Sequence, residues 1–437
     1  MQRSNILLRL LLLLVATMAI LAFACGEDED GGDGEGPTAT EATPSEGETP
    51  SDGESDLSNI PEDTTGVTDT EIKLGTHMPL SGSAASLYGN QIVPGMRAYF
   101  NYINETEGGI NGRRITLLVE DDQYDPSRTN QAVRKLVEQD QIFALVSGLG
   151  TAQHSAVFEY LAENMVPDLF TATGATRFTE PITRTAFGYN PNYIQEGREI
   201  GKYVAENYPN AKVGFIRQND DFGGDGLKGF QEGIEGSEVE IVSEQTYEAV
   251  NTDMTQQVQA VVNDGADTIV TYSLPLQAGS IMKVAREQVG FEGPLVFTGV
   301  IADPSTIAIA GEANAQGAIT TAYLRPLIQS DDPGVQQHIE IMQQYGEGTE
   351  ASNLSLYGQS VAELAVEVLK QAGDDLNRRS VIAAAESIRD FTCSVCLSPI
   401  NLSPTDHRPI EALAFGEAQG AAWVITGDVI SFESTED

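Results

Sequence analysis

LVSGLGTAQHSAVFEYLAENMVPDLFTATGATRF, from Leu145 to Phe178, runs through an apolar segment, a Gly/Thr turn, an amphipathic helix, a second apolar segment and a second Gly/Thr turn. That order is a parallel strand handing over to a helix, twice. The turns Gly148-Leu149-Gly150-Thr151 and Thr173-Gly174-Ala175-Thr176 follow the carboxyl ends of those strands. Open parallel sheets hold their ligands in that place, and unpaired N–H groups at a helix start attract an anion without any cation. Both turns are therefore expected to face one crevice and to hold the carboxylate of a small solute.

Working outward, strands are predicted at Ile72–Thr76, Ile115–Glu120 and Ile142–Val146, with helices at Val93–Glu107, where Pro94 stands in the first turn, and at Ser127–Glu138. A second series follows. Helices at Glu196–Asn207, Gly226–Ile234, Met254–Asn263 and Ala278–Val289 alternate with strands at Lys212–Ile216, Val239–Val242, Thr268–Tyr272 and Leu295–Thr298. Two βα series in one chain imply an α/β protein of two Rossmann-like lobes, each a doubly wound parallel sheet. Val335–Tyr345, Leu356–Gln371 and Arg378–Arg389 are then three helical patterns with little strand between them, and Ile410–Phe415 and Ala421–Ile425 read as edge strands. Helices without a sheet of their own need one to cover, so the chain is expected to cross back to the first lobe and return, giving three crossovers.

The ends carry other signals. Arg3 and Arg9 precede a nearly continuous apolar run from Ile6 to Phe23, with small residues leading to Cys25. Residues 1–25 read as a lipoprotein signal peptide with Cys25 as the lipidated first mature residue, although Ala22 stands where such signals usually have Leu, Val or Ile. Residues 26–66 are mostly Asp, Glu, Gly, Pro, Ser and Thr, without Lys, Arg or His, and are expected to be a disordered acidic linker between membrane and domain. The formal charge of −41 over 437 residues argues against nucleic acid as a partner. It fits an extracytoplasmic protein, anchored to the cell membrane and held apart from its neighbours by like charge, hence a monomer.

Enzyme chemistry finds little support. His77, His154, His338 and His407 do not stand at metal-ligand spacing. Ser280-Ile281-Met282-Lys283 has the spacing of a penicillin-recognising nucleophile, but its partner motifs are missing and it falls inside a predicted helix. No nucleophile elbow, phosphate loop or cofactor fingerprint occurs. Cys393 and Cys396 are separated by two residues, and outside the cytoplasm they are expected to form a local disulfide near the third crossover.

Ile72-Lys73-Leu74-Gly75, Pro79-Leu80-Ser81-Gly82, Gly108-Gly109-Ile110-Asn111-Gly112, Glu120-Asp121-Asp122, Asp125-Pro126, Gly174-Ala175-Thr176 and Asn219-Asp220-Asp221-Phe222-Gly223 together resemble the branched-chain amino acid (Leu/Ile/Val) binding proteins. These are type I periplasmic receptors of ABC importers. The resemblance covers Ile72 to about Trp423. It implies a two-lobed clamp that closes on three hinge strands, with residues 67–188 and 326–394 as one lobe and 189–325 and 395–437 as the other. Membrane permease subunits are the implied partners and an amino acid or small carboxylate the implied ligand, with no cofactor.

By position, the resemblance assigns the carboxylate to Thr151, Gly174 and Thr176. It assigns aromatic walls to Tyr88, Tyr357 and Phe222, the last standing where the family has Tyr, and it brings in Tyr193 from the Tyr-rich opening of the second lobe. One departure matters. The family's second-lobe Glu, which neutralises the ligand's ammonium, has no counterpart in Phe297-Thr298-Gly299-Val300-Ile301, and Asp303 is the first acid beyond it. A buried ammonium without a carboxylate costs several kcal/mol. Either Asp303 substitutes, or the ligand is an aromatic or short aliphatic acid or an amide. A module presenting the solute to a signalling partner is the other role open to this fold.

Overall fold

The computed structural model describes residues 57–82 and 85–432. The first lobe opens with β1 (Glu71–Met78), α1 (Ser86–Thr106), β2 (Arg114–Asp121), α2 (Pro126–Arg134), β3 (Ala144–Val146), α3 (Thr151–Ser155), α4 (Phe158–Glu163), β4 (Asp168–Thr171) and β5 (Ala186–Gly188). The second lobe follows as α5 (Tyr193–Asn207), β6 (Lys212–Gln218), α6 (Asp221–Gly233), β7 (Glu240–Tyr247), α7 (Thr255–Asn263), β8 (Thr268–Tyr272), α8 (Pro275–Lys283), β9 (Leu295–Phe297), α9 (Pro304–Ala310), α10 (Glu312–Ala315) and β10 (Ile319–Ala322). Helices α11 (Pro333–Tyr345), α12 (Asn353–Gln371) and α13 (Arg378–Glu386) then return to the first lobe, and β11 (Ala412–Gln419), β12 (Ala422–Ile425) and β13 (Ile430–Ser431) complete the second.

Strands covered on both faces are mostly apolar. β3, β4 and β8 are buried at every position; β3 is wholly apolar, while β4 and β8 bury Asp168, Thr171, Thr268 and Thr271 among their apolar residues. The first sheet has the order β2-β1-β3-β4-β5, all parallel. The second runs β12-β11-β10-β9-β8-β6-β7, with β11 and β12 antiparallel at its edge. The two doubly wound lobes expected from the sequence are present. α1 packs along α12, so the returning helix finds its sheet, and Gly95 and Gly358 let the two backbones approach closely.

Several boundaries are corrected. α1 begins at Ser86 rather than Val93, because Tyr88 and Ile92 already lie on its buried face, so Pro94 is interior. The single helix expected between the two turns is two short ones, α3 and α4. Folded chain begins by residue 57, not at 67. Ile60 is buried in the first lobe, Arg379 donates to its carbonyl at 2.8 Å, and Arg378 pairs with Asp63. A few apolar and charge contacts suffice to hold a stretch whose composition alone reads as linker.

The third crossover lies after His407, not at residue 395. Phe391 pairs with Ile400, and the His407 ring stacks on Phe187 at 4.0 Å while donating to the Ala186 carbonyl at 2.7 Å, so residues 395–407 pack on the first lobe. Cys393 and Cys396 are joined in a disulfide. It sits beside the second crossover rather than the third: Leu324 pairs with Cys396, and the Arg325 amide donates to the Val395 carbonyl at 2.8 Å. The signal peptide, Cys25 and linker residues 26–56 lie outside the described residues. Among the described residues no helix is long and apolar enough to cross a membrane.

Candidate functional site

The carboxyl ends of β1, β3 and β4 open toward the second lobe, and the turns after β3 and β4 meet there. Gly150 has φ +102, and a Cβ on it would lie 2.4 Å from the Gln153 amide oxygen and 2.7 Å from the Tyr124 ring. Only glycine lets the turn pass so close. The Thr151 and Thr173 hydroxyls lie 2.6 Å apart, and α3 starts with no side-chain cap, so polar donors gather at this point of an otherwise apolar wall. The lobes enclose a cavity of about 110 Å³ bordered by Thr151, Thr173, Tyr88, Tyr124, Tyr193 and Phe222, with Tyr357 behind them.

Several bonds shut the cleft. The Tyr88 hydroxyl donates to the Val300 carbonyl at 2.9 Å, and Asn353 donates to the Ala302 carbonyl at 2.9 Å. The Thr176 amide donates to Asp225 of α6 at 2.8 Å, and Arg177 pairs with Asp221 at 3.2 Å. Burial pushes the Tyr88, Tyr124, Tyr193 and Tyr357 hydroxyls well above their ordinary range, so they stay neutral; the Tyr357 hydroxyl donates to Asn190 at 2.9 Å.

Of the residues expected at the site, Thr151, Tyr88, Tyr357, Phe222 and Tyr193 line the cavity. Gly174, Thr176 and Asp303 do not. A Cβ on Gly174 would lie 1.9 Å from the Pro191 carbonyl, so that turn is roofed by the start of the second lobe. The Thr176 amide is taken by Asp225, and its hydroxyl bonds Asn192. Asp303 caps α9 through the Ser305 amide at 2.9 Å, and its carbonyl accepts from Trp423. Its second carboxylate oxygen is buried without a hydrogen-bond partner, but Asp303 is not among the residues that line the cavity.

Tyr124 and Thr173 are wall residues that sequence reasoning missed. Tyr124 has φ +58 and is held there by its amide bond to Asp122 at 2.9 Å; an Asp two residues ahead of an aromatic was the only available signal. The single charged side chain on the wall among the described residues is Arg325, and its guanidinium is already paired with Asp332 at 3.2 Å. One layer back, Glu196 of α5 accepts from the Thr298 hydroxyl at 2.8 Å, the Gly299 amide at 2.7 Å and the Thr321 hydroxyl. Burial pushes this carboxyl up from its usual range.

A small cavity closed between two lobes of parallel sheet, with residues 71–422 matching the periplasmic binding protein family, settles the class. The chain belongs to the periplasmic binding protein family. It is thus a solute-binding protein and not an enzyme. It is 26% identical over 260 residues, 59% of this chain and 68% of the relative, to Leu/Ile/Val-binding protein homolog 2 of Brucella abortus. In fold it is similar to a branched chain amino acid ABC transporter protein of Thermus thermophilus with bound valine, at TM-score 0.75, 20% identity and coverage of 84% of this chain and 97% of that one. It is likewise similar to a fatty acid ABC transporter substrate-binding protein of Thermomonospora curvata, at TM-score 0.74, 22% identity and coverage of 85% and 95%. At these identities the two structures speak for the type I fold of this binding protein.

Proposed function

We propose that this binding protein is the lipid-anchored extracytoplasmic receptor of an ABC importer. It captures a small apolar solute with an acid head group and no ammonium, by closure of the lobes about their three crossovers. The observation that carries the reading is the wall itself: the bonded Thr151–Thr173 hydroxyl pair, which keeps one proton to donate, aromatic rings around it, and no acid among the described lining residues. A carboxylate finds a hydroxyl donor there, whereas an ammonium finds none of the acceptor charge it needs. Thr151, Tyr88, Tyr193, Tyr357 and Phe222 are the proposed ligand contacts. The relatives' names favour the branched-chain amino acid itself, and Glu196 behind Gly299 is the group that would serve its ammonium.

Leucine and 4-methylpentanoate share one skeleton and differ by the α-ammonium. Calorimetry on the mature protein is expected to give tighter binding for 4-methylpentanoate. Tighter binding of leucine, lost in Glu196→Gln, would establish the amino acid reading instead.

A further inference from the structure

Beneath the first turn lies a chain of four side chains outside the cavity wall. His77, in β1, has Nδ1 2.8 Å from Asp122 Oδ2 and Nε2 3.3 Å from Nδ1 of His154, in α3. His154 Nε2 lies 2.7 Å from Asp168 Oδ2, in β4. All four are buried, and the two rings stack at 5.6 Å. Among the described residues, the Phe158 and Phe178 rings and the Thr129 and Thr171 hydroxyls, all uncharged, also contact them.

An ionised carboxylate only accepts, so each outer ring nitrogen must donate to its Asp. Two neutral imidazoles have no further proton, and the inner contact would then set lone pair against lone pair. A third proton turns that contact into an N–H···N hydrogen bond. We infer that His77 and His154 share this proton, leaving the four groups with one net negative charge, and that the bonded pair positions the Ser147–Thr151 turn for ligand. The positioning half rests on the reading that this turn holds the solute.

The geometry ties pair and wall together. A Cβ on Gly148 would lie 2.5 Å from His77 Nε2 and 3.0 Å from His154 Nδ1, so the turn's backbone rests directly on the inner contact. The Leu149 amide donates to the His77 carbonyl at 3.3 Å and the His154 amide to the Gly150 carbonyl at 2.9 Å. The second Asp122 oxygen holds the Tyr124 amide, and Gln153 of α3 donates to the Tyr124 carbonyl at 2.9 Å. Leu149, Thr151 and Tyr124, all on the cavity wall, thus hang from the four-group chain.

The chain has only four histidines, so nitrogen NMR of the ¹⁵N-histidine-labelled mature protein resolves the pair. At neutral pH three of its four ring nitrogens are expected to carry protons. His154→Gln, which keeps a donor for Asp168 but cannot carry the shared proton, is expected at neutral pH to quicken amide exchange at Leu149–Thr151 and to lower affinity for 4-methylpentanoate about tenfold, the scale of one hydrogen bond to a charged group. Two protonated nitrogens overturn the sharing. Three, with exchange and affinity unaltered in His154→Gln, overturn the positioning role. Should Thr151→Ala leave affinity unchanged while the proton count and the exchange coupling hold, it is the site reading that fails.

Discussion

Thr173, not Thr176, meets Thr151 across the two turns, and that one exchange reorders the site. Both residues stand in a Thr-Gly-Ala-Thr run after an apolar strand, and nothing local tells them apart. What separates them is Asp225, which reaches from the second lobe to the Thr176 amide. Thr151→Ala is accordingly expected to weaken binding of an acid solute about tenfold, by loss of a hydrogen bond of roughly 1.5 kcal/mol to a charged group; equal affinities by calorimetry would remove Thr151 from the site. Tyr88→Phe deletes the bond to Val300 without opening the wall. It should weaken binding by about threefold to tenfold, the range for a neutral hydrogen bond, and a fluorescence titration that detects no loss would show that this contact does not favour closure.

At the scale of elements, close approaches decide where the turns sit. Gly174→Ala would drive a methyl group into the Pro191 carbonyl. Overpacking of this kind costs typically about 1–3 kcal/mol, so the urea midpoint should drop; an unchanged midpoint would mean that the roof over the turn yields freely. The Cys393–Cys396 bridge flanks the segment after β10 that carries Leu324 and Arg325 between the lobes. Reduction is therefore expected to quicken hydrogen exchange at the Arg325 amide, bonded to Val395, while β3 and β4 keep their protection. The same exchange rates before and after reduction would make the bridge irrelevant to that crossover.

Over the whole molecule, His338 gives stability a pH dependence of known sign. It is buried between α11 and α12, bonded to Gln359 and Ser355 at 2.9 Å each, and burial lowers it to about 4. The unfolded chain takes up a proton near pH 6.5 that the folded chain refuses, so this contribution is complete above pH 6.5 and is lost as pH falls toward 4. The full loss is at most about 3 kcal/mol. Buried Glu196 and Glu363, whose carboxyls are held high, pull the other way, so the difference between the wild type and His338→Gln is the clean readout. That stability difference should shrink steadily between pH 6.5 and 4, and a flat difference would place the histidine in a solvated setting.

The sequence by itself determined the two lobes, since buried parallel strands are mostly apolar and the helices between them must carry one apolar face; β3, β4 and β8 were plain for that reason, with a few polar residues among their buried positions. It also brought Thr151 to the crevice, because turns at the carboxyl ends of parallel strands share a side, while Tyr88, Phe222 and Tyr357 came only from the resemblance to the family. Tertiary structure alone decided which turn residue stays free. Asp225 claims Thr176 and α9 claims Asp303, while Asp122 turns Tyr124 into the wall and Glu196 comes to the end of β9 from a helix about a hundred residues earlier. A hydrogen-bonding group takes whichever partner folding brings within reach, and that distance is not written in the order of the residues.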